Sequence, residues 1–144
     1  MIIRSAQIDD TEQIFSLFSC LENAGTIWSK DDLISNLKRS AYLNLVAEKD
    51  NKIVGFISGH IILNEAELEL IVVDKFFREN AIGSTLLLNL FFYLKNSLVK
   101  TLFLEVAEDN IAAINLYNKL GFSQISKREN YYKTKDALIF KLEL

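Results

Sequence analysis

A strand, a short polar connection and a long apolar segment follow one another over Glu65–Leu88, and this succession constrains the fold more than any other stretch. Apolar residues recur at every second position in its first half. They predict a half-buried strand on which Leu68, Leu70 and Val72 share one face. From Ile82 onward nearly every residue is apolar, which predicts a buried helix.

The connection between these elements is the segment RENAIGS at residues 78–84. A helix that begins there presents backbone N–H groups without intrahelical partners, at the positive end of the helix dipole. Such an end can bind a phosphate or a pyrophosphate. An ordinary strand-to-helix connection, in which Gly83 eases the turn, explains the same residues equally well.

Composition predicts one soluble, cytoplasmic globular domain over residues 1–144. The net charge of −3 gives no indication of nucleic-acid binding and suits a basic peptide better than an acidic one. Cys20 is the only cysteine, so an internal disulfide is impossible and a reducing compartment is expected. No apolar run is long enough to span a membrane. No cluster of histidine and cysteine predicts a metal site.

The rest of the chain predicts a mixed α/β sheet with helices on both faces. A strand, two helices and a hairpin precede the central strand and helix, and a strand, a helix and two closing strands follow them. Gly55 and Gly59 interrupt the second hairpin strand and indicate a bulge or a close approach of the backbone. His60, the only histidine, lies in the same strand without an identifiable partner, so a structural or exposed role is expected.

Two signatures in the second half of the chain resemble those of the GNAT acetyltransferases. The segment VDKFFRENAIG at 73–83 resembles the loop that binds acyl-CoA, and LFLEVAEDNIAAINLYNKLGF at 102–122 resembles the second family signature. With RENYY at 128–132 and DALI at 136–139, the likeness narrows to the bacterial RimI type, which acetylates the N-terminal amine of a ribosomal protein. The resemblance is strongest over Glu65–Leu142.

This resemblance implies a mostly antiparallel sheet of about six or seven strands, splayed between the strands near 65–74 and 101–107. It also implies acetyl-CoA as the co-substrate and no metal ion. The cofactor-binding residues would be Ile71, Val72, Val73, Arg78, Glu79, Asn80, Ala81, Ile82, Gly83, Ser84, Asn110 and Tyr117.

Three residues depart from the family pattern at this loop. Ala81 stands where glycine is usual, so a methyl group intrudes where the backbone should approach phosphate. Lys75 replaces a common proline, and Glu79 places a negative charge beside the expected pyrophosphate. We therefore expect a functional loop that binds the cofactor more weakly.

The resemblance also assigns the chemistry. Glu105 aligns with the general base and Tyr117 with the general acid that protonates the CoA sulfur. Glu67 and Glu69 are reserve bases, and Glu69 is interpreted as the stronger because it shares a face with Ile71. The residues expected to contact the acceptor are Trp28, Glu69, Arg128, Tyr131 and Tyr132.

Each of these side chains also has a plain structural interpretation. Glu105 could be a solvated strand carboxylate and Tyr117 a residue packed on the sheet. Trp28 could be a core anchor, and Tyr131 and Tyr132 could pack on their strand.

The expected partner is a peptide N-terminus, for which that of a ribosomal protein is the candidate, and the expected state is a monomer or weak homodimer. Two alternatives stay open. The acceptor could be another amine, such as a lysine side chain, an amino acid, a polyamine or an aminoacyl-tRNA. The chain could also be a non-catalytic acyl-CoA-binding module. The altered loop and the aromatic run at 91–93 favour this alternative.

Overall fold

The computed structural model describes residues 1–21, 28–78, 80–131 and 135–144. The strands in these ranges are β1 Ile2–Ser5, β2 Tyr42–Lys49, β3 Lys52–Ile62, β4 Glu65–Val73, β5 Thr101–Ala107, β6 Ser123–Arg128 and β7 Ala137–Glu143. The α-helices are α1 Thr11–Leu17, α2 Lys30–Lys38, α3 Ile82–Lys95 and α4 Ile111–Lys119. No helix in the described ranges is long and apolar enough to cross a membrane.

The seven strands form one sheet in the order β1-β2-β3-β4-β5-β7-β6. All neighbouring pairs are antiparallel except β4 and β5, which are parallel. The β4–β5 pairing joins residues 65–67 to 101–103 and then stops, although both strands continue. The predicted mixed, mostly antiparallel sheet and its splay between these two strands are therefore confirmed.

Helices cover both faces of the sheet, as predicted. We call the side covered by α3 and α4 the α3 face, and the side covered by α1 and α2 the α1 face. Glycines let α3 lie close to β3, because a Cβ at Gly55 would lie 3.0 Å from Leu86 Cδ1. A Cβ at Gly59 would lie 3.3 Å from Leu90 Cδ1. This close approach fixes the start of α3 beside the end of β4.

A β-bulge at Glu69 interrupts β4. Pairing with β3 continues on both sides of Glu69, but this residue has no partner across the strands. The bulge reverses the alternation of the side chains, so Leu70 and Val72 pack on the α1 face, whereas Leu68 packs with Ile71 on the α3 face. The prediction that Leu68, Leu70 and Val72 share a face is therefore wrong for Leu68.

Candidate active site

The splay of the sheet leaves one edge of β4 open. Among the described residues, 68–73 pair with β3 on one side, except at the Glu69 bulge, and with no strand on the other. Backbone N–H and C=O groups on such an edge require partners from solvent or from a ligand. The predicted contacts of Ile71, Val72 and Val73 belong to this edge.

The start of α3 presents a second set of backbone donors. The N–H of Thr85 donates to the Ala81 carbonyl at 3.0 Å. The hydroxyls of Ser84 and Thr85 donate to the same oxygen at 3.2 and 2.7 Å. In the described part of the chain, the N–H groups of Ile82, Gly83 and Ser84 have no protein acceptor. The loop therefore keeps three amides available at the positive end of α3.

The residues before this helix hold the loop in place. The Arg78 guanidinium donates through Nη2 to the Cys20 carbonyl at 2.6 Å, and Asn80 Nδ2 donates to the Phe77 carbonyl at 3.2 Å. These bonds connect the loop to the end of the first helical region and to the turn that follows β4. Glu79, also predicted to contact the cofactor, lies outside the described residues.

Gly83 leaves open space beside these amides. A Cβ at this position would meet only Val73 Cγ2, at an ordinary contact distance of 3.9 Å. Glycine within a helix costs about 1 kcal/mol relative to alanine, and the packing of the described residues gives no reason for it here. The open surface fits a phosphate group that approaches the backbone closely.

Ala81 caps α3 in a left-handed conformation, with φ 59° and ψ 19°. This conformation costs a non-glycine residue about 1–2 kcal/mol. The alanine that stands where the family pattern has glycine therefore strains the backbone, and it also carries the methyl group that was predicted to intrude.

Replacement of Ala81 by glycine is expected to raise the free energy of unfolding by about 0.5–1 kcal/mol, because relief of the left-handed strain exceeds the extra entropy of glycine in the unfolded chain. Urea unfolding measures this change. Ala112→Gly, at an exposed position within α4, is the matched control and should instead destabilise by about 1 kcal/mol. A loss of stability in both variants would contradict the strain at Ala81.

Carboxylates from β4 and β5 gather on the α1 face beside the gap. Leu104 and Val106 pack on the α3 face, so Glu105 between them faces the other way. Its Oε1 lies 3.1 Å from Arg128 Nη1. The negative charge of Glu105 also contributes to raising the pKa of Glu69, which places the two carboxylates within electrostatic reach across the splay.

Glu69 is a partly exposed carboxylate, with 30% of its side chain accessible. Burial raises its pKa, the charge of Glu67 raises this pKa further, and the contact with His60 lowers it. Its Oε1 lies 3.6 Å from His60 Nδ1, on the α1 face. The interpretation that Glu69 shares a face with Ile71 is wrong, because the bulge places Ile71 on the α3 face.

Tyr117 lies on the opposite side of the sheet from Glu105, within the core of the α3 face. Its ring packs against Phe122 and Phe140, with centroid distances of 5.6 and 6.4 Å. The residue is only 5% exposed, and burial raises the pKa of its phenol to about 12.

The Tyr117 hydroxyl makes no hydrogen bond to the described residues. In this part of the chain every fully enclosed polar side-chain atom has a partner. The hydroxyl must therefore border accessible space, with its ring held in the core. A phenol in this arrangement can reach a ligand.

Other predicted residues have visible structural roles. Asn110 caps α4 by accepting from the Ala113 N–H at 3.3 Å, and half-buried Trp28 packs edge-on against Phe56 with centroids 6.3 Å apart. The Arg128 guanidinium lies 5.4 Å from the centre of the Tyr131 ring. Tyr132 lies outside the described residues. Ligand contacts of these residues stay predictions.

His60 lies beside the candidate site, and sequence reasoning did not identify its partners. Its imidazole contacts Glu69 and stacks on Tyr42, with ring centres 4.4 Å apart and planes at 7°. Both partners come from neighbouring strands, so only the strand register could have revealed them. No group of three or more potential metal ligands occurs among the residues that the structure describes.

Comparisons with known proteins agree with this geometry. The sequence model described as Acetyltransferase (GNAT) family matches residues 10–122. A ribosomal protein bS18-alanine N-acetyltransferase from Salmonella typhimurium is 38% identical over 121 residues, which are 81% of this chain and 81% of that protein.

Solved structures are similar over almost the whole chain. The ribosomal-protein-S18-alanine N-acetyltransferase from Escherichia coli has a TM-score of 0.90 and 33% identity, and the match covers 99% of this chain and 92% of that one. The PaiA N-acetyltransferase from Thermoplasma acidophilum, in complex with coenzyme A, has a TM-score of 0.88 and 25% identity, with 99% and 98% covered.

Proposed function

Because the chain belongs to the acetyltransferase (GNAT) family, we propose that it transfers the acetyl group of acetyl-CoA to the N-terminal α-amine of a protein. The observation that carries this proposal is the 38% identity, over 81% of the chain, to an enzyme named for ribosomal protein bS18-alanine. The placement of Glu105 and Tyr117 on opposite faces of the sheet beside the splay is consistent with it.

Acetyl-CoA would bind along the open edge of β4 and the start of α3. The free amides of Ile82, Gly83 and Ser84 suit its pyrophosphate. The unpaired edge at residues 71–73 suits its amide-containing arm. Coenzyme A in the Thermoplasma acidophilum neighbour supports a CoA site in this fold.

The acetyl transfer requires a base on one side of the gap and a proton donor on the other. Glu105 would accept a proton from the attacking amine, and a β4 backbone N–H would stabilise the developing oxyanion. Tyr117 would donate to the departing sulfur. Burial raises the pKa of a thiol as it raises that of a phenol, so the departing sulfur would bind a proton more tightly in the enclosed site than in water.

The acidity of the acceptor amine favours a protein N-terminus. An α-amine has a pKa about 2.5 units below that of lysine, which lowers the cost of deprotonation at neutral pH by about 3.4 kcal/mol. Glu67, Glu69 and Glu105 give the acceptor side a negative potential that attracts a cationic amine. Both features suit an α-ammonium group.

Replacement of Gly83 by alanine is expected to weaken acetyl-CoA binding about 10- to 100-fold, because the methyl group would disturb a charged hydrogen bond to phosphate. Isothermal titration measures the affinity. The stability should stay equal or increase, because the new methyl group meets only Val73 and alanine favours a helix. Unchanged affinity would contradict the pyrophosphate site.

The proposed function is tested by thiol release from acetyl-CoA with a peptide that copies the N-terminus of ribosomal protein bS18. Turnover with this peptide, and none with its N-terminally blocked form, is the expected result. Lysine-containing peptides, amino acids, polyamines and an aminoacyl-tRNA form the comparison panel. Faster turnover of any of these would contradict the α-amine assignment, and absence of saturable acetyl-CoA binding would contradict the enzyme itself.

A further inference from the structure

Acetylation of an ammonium group releases two protons from nitrogen. The C–S bond of the thioester breaks, a C–N bond forms, and one proton ends on the CoA sulfur. The other must reach solvent. An α-ammonium group with a pKa near 8 is mostly charged at neutral pH, so this proton must leave before the nitrogen can attack.

We propose that Glu69 and His60 form a relay that carries this first proton from the acceptor ammonium to solvent. The relay rests on the proposed function and adds a route that Glu105 and Tyr117 do not provide. The Glu69 carboxylate takes the proton from nitrogen and passes it to His60 Nδ1. The imidazolium then releases a proton to water, and both side chains return to their starting charge.

The geometry places these two groups side by side at the edge of the gap, on the α1 face. Glu69 lies at the bulge of β4, and its Oε1 is 3.6 Å from His60 Nδ1. Such contacts commonly shorten when substrate binds. The side chains of His60 and Glu69 are 20% and 30% exposed, so the imidazole has an accessible edge through which a proton can leave while a bound acceptor covers the carboxylate.

Packing holds the imidazole in one orientation. His60 lies between Tyr42 on β2 and Glu67 on β4 in the strand register. The near-parallel stack on Tyr42 restricts rotation of the ring. Arg39 lies 5.2 Å from the centre of the Tyr42 ring and Trp28 packs against the same ring, so the stacking partner is itself held.

Charged groups surround the relay, and the proton affinity of its first member is raised. The titratable and charged groups around it are Arg39, Tyr42, Glu67, Glu69 and Glu105. Burial raises the pKa of Glu69, which makes its carboxylate a better base near neutral pH.

The first test uses His60→Ala with two added ring compounds. The variant should lose up to about tenfold in kcat/KM at pH 7, because only about one tenth of an amine with a pKa near 8 arrives uncharged at that pH. Imidazole should restore turnover, whereas pyrazole, which has a similar shape but takes up no proton near neutral pH, should not. Equal rescue by both rings, or no loss in the variant, would overturn the relay.

The second test uses the pH dependence of the loss. His60→Phe, which keeps a flat ring for the stack on Tyr42, and Glu69→Gln should both approach wild-type kcat/KM as the pH rises from 7 to 9. The reason is that the amine then arrives uncharged. Glu65→Gln, an exposed carboxylate on the same strand, should behave as wild type throughout. A loss in His60→Phe that is independent of pH would indicate a structural role and overturn the relay.

Wild-type turnover separates this proposal from the proposed function. If the wild-type protein does not acetylate the peptide, the proposed function fails, and the relay fails with it. If it does, and His60→Ala and His60→Phe lose nothing, only the relay fails. Thermal unfolding of each variant shows whether it is folded during the assay.

Discussion

Replacement of Glu105 by glutamine is expected to lower kcat about 10²- to 10³-fold at pH 7, because an amide of the same shape cannot accept the amine proton. The fold should tolerate the change. The Glu105–Arg128 pair is partly exposed, with side-chain exposures of 32% and 56%, and such pairs contribute about 1 kcal/mol or less.

The measurement is steady-state thiol release with the N-terminal peptide, together with titration of acetyl-CoA. The affinity for acetyl-CoA should be unchanged, since Glu105 faces the acceptor side. Glu108→Gln, which alters an exposed carboxylate just after β5, is the matched control and should leave kcat unaffected. Wild-type kcat in Glu105→Gln would transfer the general-base role to another group.

The pH dependence distinguishes Glu105 from the proposed Glu69–His60 relay. Glu105 would take the proton that remains on nitrogen after attack, so its loss should persist when the amine arrives uncharged at pH 9. If the loss of kcat in Glu105→Gln disappeared at high pH, Glu105 would instead take the first proton, which leaves the ammonium group before attack.

The strand, loop and helix around residues 78–84 could be predicted because their signals are local. The alternating apolar residues of β4 and the apolar run after Ile82 depend on neighbours within a few positions. The splay between β4 and β5 is different, since it followed from the resemblance to a family. The pairing between β4 and β5 ends at Glu67, and it depends on two strands that lie far apart in the sequence.

The bulge at Glu69 could not be predicted, because it is defined by pairing with β3. One unpaired residue reverses the alternation and moves Ile71 to the opposite face from Glu69. The contact between Glu69 and His60 depends on the same register. The left-handed conformation of Ala81 could not be predicted either, because alanine ordinarily avoids a left-handed backbone.

Removal of the Tyr117 hydroxyl, by Tyr117→Phe, is expected to lower kcat about 10²-fold with little change in acetyl-CoA affinity, because phenylalanine cannot donate a proton to the departing sulfur. The hydroxyl has no partner among the described residues, so its loss should not destabilise the fold. Full kcat in this variant would exclude Tyr117 as the donor.

The pKa of about 12 also predicts no loss of activity from ionisation of this phenol below about pH 11.

The same variant tests the burial of the phenol through the dependence of stability on pH. Burial raises the pKa of Tyr117 from 10.0 to about 12, so between these values the unfolded chain loses a proton that the folded protein retains. Stability conferred by this group is complete below pH 10 and falls as the pH rises, by about 1 kcal/mol at pH 11 and about 3 kcal/mol beyond pH 12. Urea unfolding at pH 9 and pH 11 should show this extra loss in the wild type and not in Tyr117→Phe. Tyr93→Phe, at a tyrosine that is 43% exposed, is the control and should follow the wild type. An identical dependence of stability on pH in all three proteins would show that Tyr117 is not buried as a neutral phenol.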